Sequence, residues 1–111
     1  MGVFSRRRPE AGRRPADLPS AREARAETVT HFREFVRTRV GVEAYVEPPT
    51  AHDPFTIVLV ARTGEWTRRR VPDEKAARAL ARELAIPVYD VHLTGYPASM
   101  RQWSSANRGP R

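Results

Sequence analysis

The spacing of apolar residues along this chain changes period several times, and each change marks the border of an element. Ser20 followed by Glu23 forms a capping box: the Ser hydroxyl accepts from a free helix amide while the Glu carboxylate reaches back to the Ser20 amide, so a helix starts there. Its later turns bring Val29, Phe32, Val36 and Val40 to one face with Phe35 beside them, and leave Arg22, Arg25, Arg33 and Arg37 outside that stripe. Gly41 suits the left-handed residue that ends a helix. From Val42 to Glu47 the pattern alternates with period two until Pro48 and Pro49 stop it, which predicts a half-exposed strand. Phe55 to Val60 is apolar on both faces and predicts a central strand. Thr63-Gly64 then supplies a turn, and Glu65 to Val71 returns as the second strand of a hairpin. Pro72, Asp73 and Glu74 open a second helix whose apolar face carries Ala77, Leu80, Ala81 and Leu84. Pro87 ends it, and Val88 to Leu93 predicts a fourth strand.

The resulting order, α-β-β-β-α-β, predicts an α+β fold: a four-stranded, largely antiparallel sheet with two helices on one face. A chain of 111 residues has room for one such domain, placed at 20–94. Residues 1–19 are rich in Arg, Pro, Gly and Ala, with too few apolar groups to offset the entropy of ordering, and read as a disordered basic arm. Residues 95–111 read as a tail. Tyr96, Met100 and Trp103 fall at helical spacing behind Pro97, giving a short helical turn before a disordered end from Ser104 onward.

Charge changes this picture because it is unevenly placed. Residues 1–41 hold ten Arg against five acids, residues 42–94 hold seven basic groups against eight acids, and residues 95–111 hold three Arg and no acid. The core is therefore nearly neutral and the flanks carry the net charge of +7. Arms of this kind suit an anionic partner, RNA or DNA above all, and Arg6, Arg7, Arg8, Arg13 and Arg14 are the candidate phosphate contacts. The alternative is that they only solubilise. Of the 20 basic residues only Lys75 is lysine, which also fits a compositional bias toward Arg.

Composition excludes several classes of chemistry. Without cysteine there is no disulfide, thiolate metal site or Cys-based redox centre. No apolar run approaches the roughly 20 residues that span a bilayer, and no apolar stretch follows Arg6 to Arg8 as in an export signal. Arg6 stands where a myristoylation motif wants Ser or Thr. The expectation is a soluble, cytoplasmic protein with no membrane partner. His31 and His52 lack ligand-spaced partners, no nucleotide-binding glycine motif occurs, and no metal or other cofactor is expected.

The most suggestive element is the returning strand of the hairpin. Period two puts Trp66, Arg68 and Arg70 on one face, and an aromatic ring with two guanidinium groups makes a chemically sensible nucleic-acid surface. The competing reading pairs those arginines with Glu43 and Glu47 of the first strand. Asp90 and His92 would share a face of the fourth strand, where a carboxylate could orient an imidazole for general-base work, though such pairs are more often structural. Tyr96, Met100 and Trp103 would anchor another protein if exposed and close the core if packed down. Over about residues 20–85 the order α-β-β-β-α is similar to that of the double-stranded RNA-binding domain. His52 lies in the loop before Phe55, and Lys75-Ala76-Ala77-Arg78 opens the second helix where that family places phosphate-binding lysines. Asp73-Glu74-Lys75 stands in place of the paired lysines, and the chain continues into a further strand. The function expected is binding rather than catalysis, in a nucleic-acid-associated or ribosome-associated protein. The alternatives are a protein-interaction adaptor that uses the tail and a small enzyme.

Overall fold

Glu23 donates its amide to the Ser20 hydroxyl at 3.1 Å, and its carboxylate accepts the Ser20 amide at 2.8 Å, so the capping box forms as the sequence predicts. In this computed structural model, which describes Leu18 and residues 20–107, the box opens helix α1 (Ala21–Thr38). Strands β1 (Glu43–Glu47), β2 (Thr56–Val60) and β3 (Trp66–Arg70) follow, then helix α2 (Glu74–Glu83), strand β4 (Val88–Asp90) and helices α3 (Val91–Thr94) and α4 (Ala98–Ala106). Apart from Leu18, the expected arm lies outside the described residues, as do residues 108–111.

The fold is α+β, with a four-stranded sheet in the order β3-β2-β1-β4. β2 runs antiparallel to both β1 and β3, whereas β4 pairs parallel to β1, so the sheet is mixed rather than largely antiparallel. The reason lies in the connection. A helical crossover returns the chain to the end it left, so β4 runs the same way as β3; β3 runs the same way as β1, and at the far edge β4 meets β1.

One face of the sheet carries the main core. Phe32 and Phe35 of α1 and Ala77, Leu80 and Ala81 of α2 close over Ala44, Val46, Ile57 and Leu59, all buried. Each large side chain sealed there contributes about 1.5–3 kcal/mol of burial. Val40 does not join them. α1 ends at Thr38, which leaves Val40 64% exposed.

The opposite face is also covered, by α4. Met100 packs there on Tyr45, Val58 and Val60, with Trp66 against the cluster. β1 is therefore buried at Ala44, Tyr45 and Val46 instead of half exposed, because it lies inside the sheet with helices over both faces. The close approach of α4 depends on Gly64 in the β2–β3 turn. Gly64 has φ +96°, and a Cβ there would lie 2.0 Å from the Ser99 carbonyl oxygen. The tail thus forms a nine-residue helix that includes Ser104, more than the short turn its spacing suggested.

β4 stops at Asp90, short of the expected Leu93, because the Asp90 carboxylate accepts the His92 amide at 2.8 Å and caps the turn α3. Asp90 and His92 therefore do not share a strand face. The carboxylate meets the backbone of residue 92 rather than its ring.

Candidate functional site

The sheet register brings Trp66, Arg68 and Arg70 to one face, opposite Val60, Val58 and Thr56. What happens to the three differs along the strand. The Trp66 indole donates to the Ser104 hydroxyl of α4 at 2.8 Å and forms part of the second apolar cluster. Arg68 lies over the Trp66 ring, its guanidinium carbon 5.1 Å from the centroid. Its Nε and Nη2 donate to the two Glu47 carboxylate oxygens at 2.7 and 2.8 Å. This is the structural pairing that competed with a nucleic-acid role for these arginines. Arg70 is exposed and has no hydrogen bond or ion pair among the described residues.

Glu47 is the centre of this polar network. Besides Arg68 it accepts the Thr56 hydroxyl at 2.6 Å and the Tyr96 hydroxyl, and its side chain is only 12% exposed. Burial pushes its carboxyl upward, but the hydrogen bonds from Arg68, Thr56 and Tyr96 outweigh it and hold Glu47 below the usual carboxylate value. The same contact helps to raise the Tyr96 hydroxyl, after burial as the larger cause. Beside it, Tyr45 is pushed up to about 12 by burial and by donation to Glu43 at 3.0 Å.

Counting Arg68, carboxylates pair with half of the twelve described arginines. Glu83 pairs with Arg25 and Arg33, Glu34 with Arg37, Glu65 with Arg39 and Glu74 with Arg78. The Arg39–Glu65 pair also sets the guanidinium 4.5 Å from the centre of the Phe35 ring. His31 contacts the Thr67 hydroxyl at 2.7 Å; burial, with the charges of Arg69 and Arg39, holds its imidazole below the usual value. It is a packed residue between α1 and β3. Among the described residues no group of three or more His, Asp and Glu could hold a metal ion, and no helix is long and apolar enough to cross a membrane.

The basic groups left unpaired include Arg22, Arg69 and Arg70, and two grooves meet at Arg70. One, of about 660 Å³, is lined by Glu47, Arg68, Arg69, Arg70, His92 and Tyr96, among others. The other, of about 640 Å³, lies between the first turns of α1 and α2 and is rimmed by Arg22, Arg25 and Arg70. Both are at the end of the sheet where α1 begins, and so at the root of the arginine arm. The candidate contacts in the arm, Arg6, Arg7, Arg8, Arg13 and Arg14, lie outside the described residues.

The three tail residues are separated. Met100 is buried, the Tyr96 hydroxyl is bound to Glu47, and Trp103 is half-buried beside Trp66. Lys75 and His52 are exposed, while Arg78 is taken by Glu74 at 2.7 Å. Sequence reasoning passed over Arg22, Arg25 and Arg69 as binding groups. The one available signal was that Arg22 and Arg25 stand off the apolar stripe of α1. No protein-family model, no curated protein and no solved structure matches this chain.

Proposed function

We propose that this is a non-catalytic, cytoplasmic, nucleic-acid-associated protein that grips phosphates through its basic arms and through the arginines at the root of the first arm. The carrying observation is the position of Arg22 and Arg70 around one groove beside the start of α1, with Arg25 on the same rim bound to Glu83. Chain continuity ties the five arginines of residues 6–14 to that same end, so their charge and that of the groove can act on one polyanion. Elsewhere on the described body carboxylates pair with Arg33, Arg37, Arg39, Arg68 and Arg78, while Arg62, Lys75, Arg82 and Arg101 are unpaired among the described residues but do not line this groove.

Such binding is electrostatic and indifferent to base sequence. Its logarithmic affinity should fall linearly with the logarithm of salt concentration, by about 0.9 per phosphate neutralised on duplex DNA and about 0.7 on a single strand. Fluorescence anisotropy with labelled oligonucleotides over a salt series tests this. Absence of binding at low salt to duplex and single-stranded RNA and DNA would overturn the proposal.

A further inference from the structure

We infer that the groove between the end of β3 and the β4–α3 junction is a phosphate seat, built on Arg70 and His92 with the Glu47-bound Arg68 in its wall; this rests on the nucleic-acid reading above and names the site on the body that serves it. Two separate segments, β3 through Arg70 and the β4–α3 junction through His92, bring donors without acceptors among the described residues to one concavity of about 660 Å³. Arg68 is held by Glu47 through Nε and Nη2 and lies within hydrogen-bonding reach of the Tyr96 hydroxyl, so it forms part of the groove wall. Arg70, next on the same face, has no acceptor among the described residues, and the exposed His92 ring has none either. Arg69, on the other side of the strand, is committed to the Arg68 carbonyl at 2.8 Å.

Two carboxylates line the same groove, and neither closes it to an anion. Glu47 has its oxygens occupied by Arg68, Thr56 and Tyr96, and its charge is matched by Arg68. Asp53 accepts the Thr50 hydroxyl at 3.3 Å and the Thr50 hydroxyl in turn accepts the Asp53 amide at 3.0 Å, so it is folded into its own loop. Against these two stand Arg68, Arg69 and Arg70. A guanidinium fork matches phosphate oxygens bidentately, and the two non-bridging oxygens of a backbone phosphodiester can accept from both Arg70 and His92. The groove is open at the surface and shares Arg70 with the groove beside the arm root, so a strand can continue from one to the other.

Two sources could supply the phosphate: the backbone of a nucleic acid, which we favour, or a free nucleotide or inorganic phosphate. The test uses the full chain, wild type, Arg70→Gln and, as a control, Arg62→Gln at the opposite end of the sheet. Anisotropy measures a short single-stranded oligonucleotide, and ³¹P NMR follows inorganic phosphate and a nucleoside monophosphate. Arg70→Gln should weaken oligonucleotide binding by about fivefold or more and lower the salt slope by nearly one phosphate, while Arg62→Gln stays within about twofold of wild type. If the oligonucleotide binds wild type and Arg70→Gln alike, the seat is refuted and the nucleic-acid reading stands on the arms. If the nucleoside monophosphate binds in an Arg70-dependent way and the oligonucleotide does not, the seat holds and the nucleic-acid reading fails. If neither probe binds, both are overturned.

Discussion

The two ends of β3 begin from the same chemistry and finish differently. At the first end Trp66 is tied to Ser104, Gly64 lets Ser99 of α4 lie against the turn, and Met100 closes the apolar cluster behind them. At the other end Arg70 stands on the same face of the same strand with nothing bound to it among the described residues. Arg68, between them, belongs to the first group because Glu47 reaches it diagonally across the sheet. A period-two pattern therefore places side chains on a face but does not say which are spent on the fold. That depends on the carboxylates and helices that arrive from elsewhere in the chain.

The largest break in this comparison should come from Gly64→Ala. An alanine there meets the Ser99 carbonyl and takes a backbone conformation that L-residues rarely adopt, so α4 must shift. We expect a loss of about 3–5 kcal/mol from strain and lost packing, read by thermal denaturation, with a red-shifted tryptophan emission as Trp66 becomes wet. Unchanged stability would mean that α4 is only loosely placed.

Glu47→Gln should cost less, about 1–2 kcal/mol near neutral pH, because Arg68 is 40% exposed and water replaces part of what it loses. The sign of its pH dependence follows from Glu47 being held below the usual value: its stabilisation is present above the ordinary glutamate pKa and is lost as pH falls through the lower, folded one. Wild type should therefore lose stability with acid as pH falls below the ordinary glutamate value of about 4.5, and the variant should lose it less steeply. A residual slope remains, since hydrogen bonds from Arg37 and Arg39 hold Glu34 and Glu65 low too. Equal acid slopes in both proteins would show that the network contributes nothing to stability.

Ser104→Ala removes only the acceptor of the Trp66 indole and should cost about 1 kcal/mol. Arg70→Gln should have the smallest effect on stability, within about 0.5 kcal/mol, because no described group depends on it. A loss of 1 kcal/mol or more in that variant would make Arg70 structural and erase the contrast between the two ends.

Much of the fold was legible because its signals are local. The Ser20–Glu23 box, the Gly64 turn and the doubly apolar β2 each carry their reason within a few residues. The parts that were not legible depend on distant partners. β4 ends early because Asp90 is used as a cap, and α4 covers the second face because Gly64, over thirty residues earlier in the chain, leaves it room. The site was half legible for the same reason. The face shared by Trp66, Arg68 and Arg70 was readable, but the diagonal choice of Arg68 by Glu47 and the meeting of Arg22 with Arg70 needed the folded arrangement.

The division of β3 into a structural end and a binding end is tested most directly by an NMR chemical-shift map of the full chain titrated with a short oligonucleotide at low salt. The account predicts that the side-chain resonances of Arg22, Arg70 and His92 move together while the indole N–H of Trp66, bonded to Ser104, stays in place. Movement centred on the Trp66 indole and α4, with Arg70 unaffected, would contradict it.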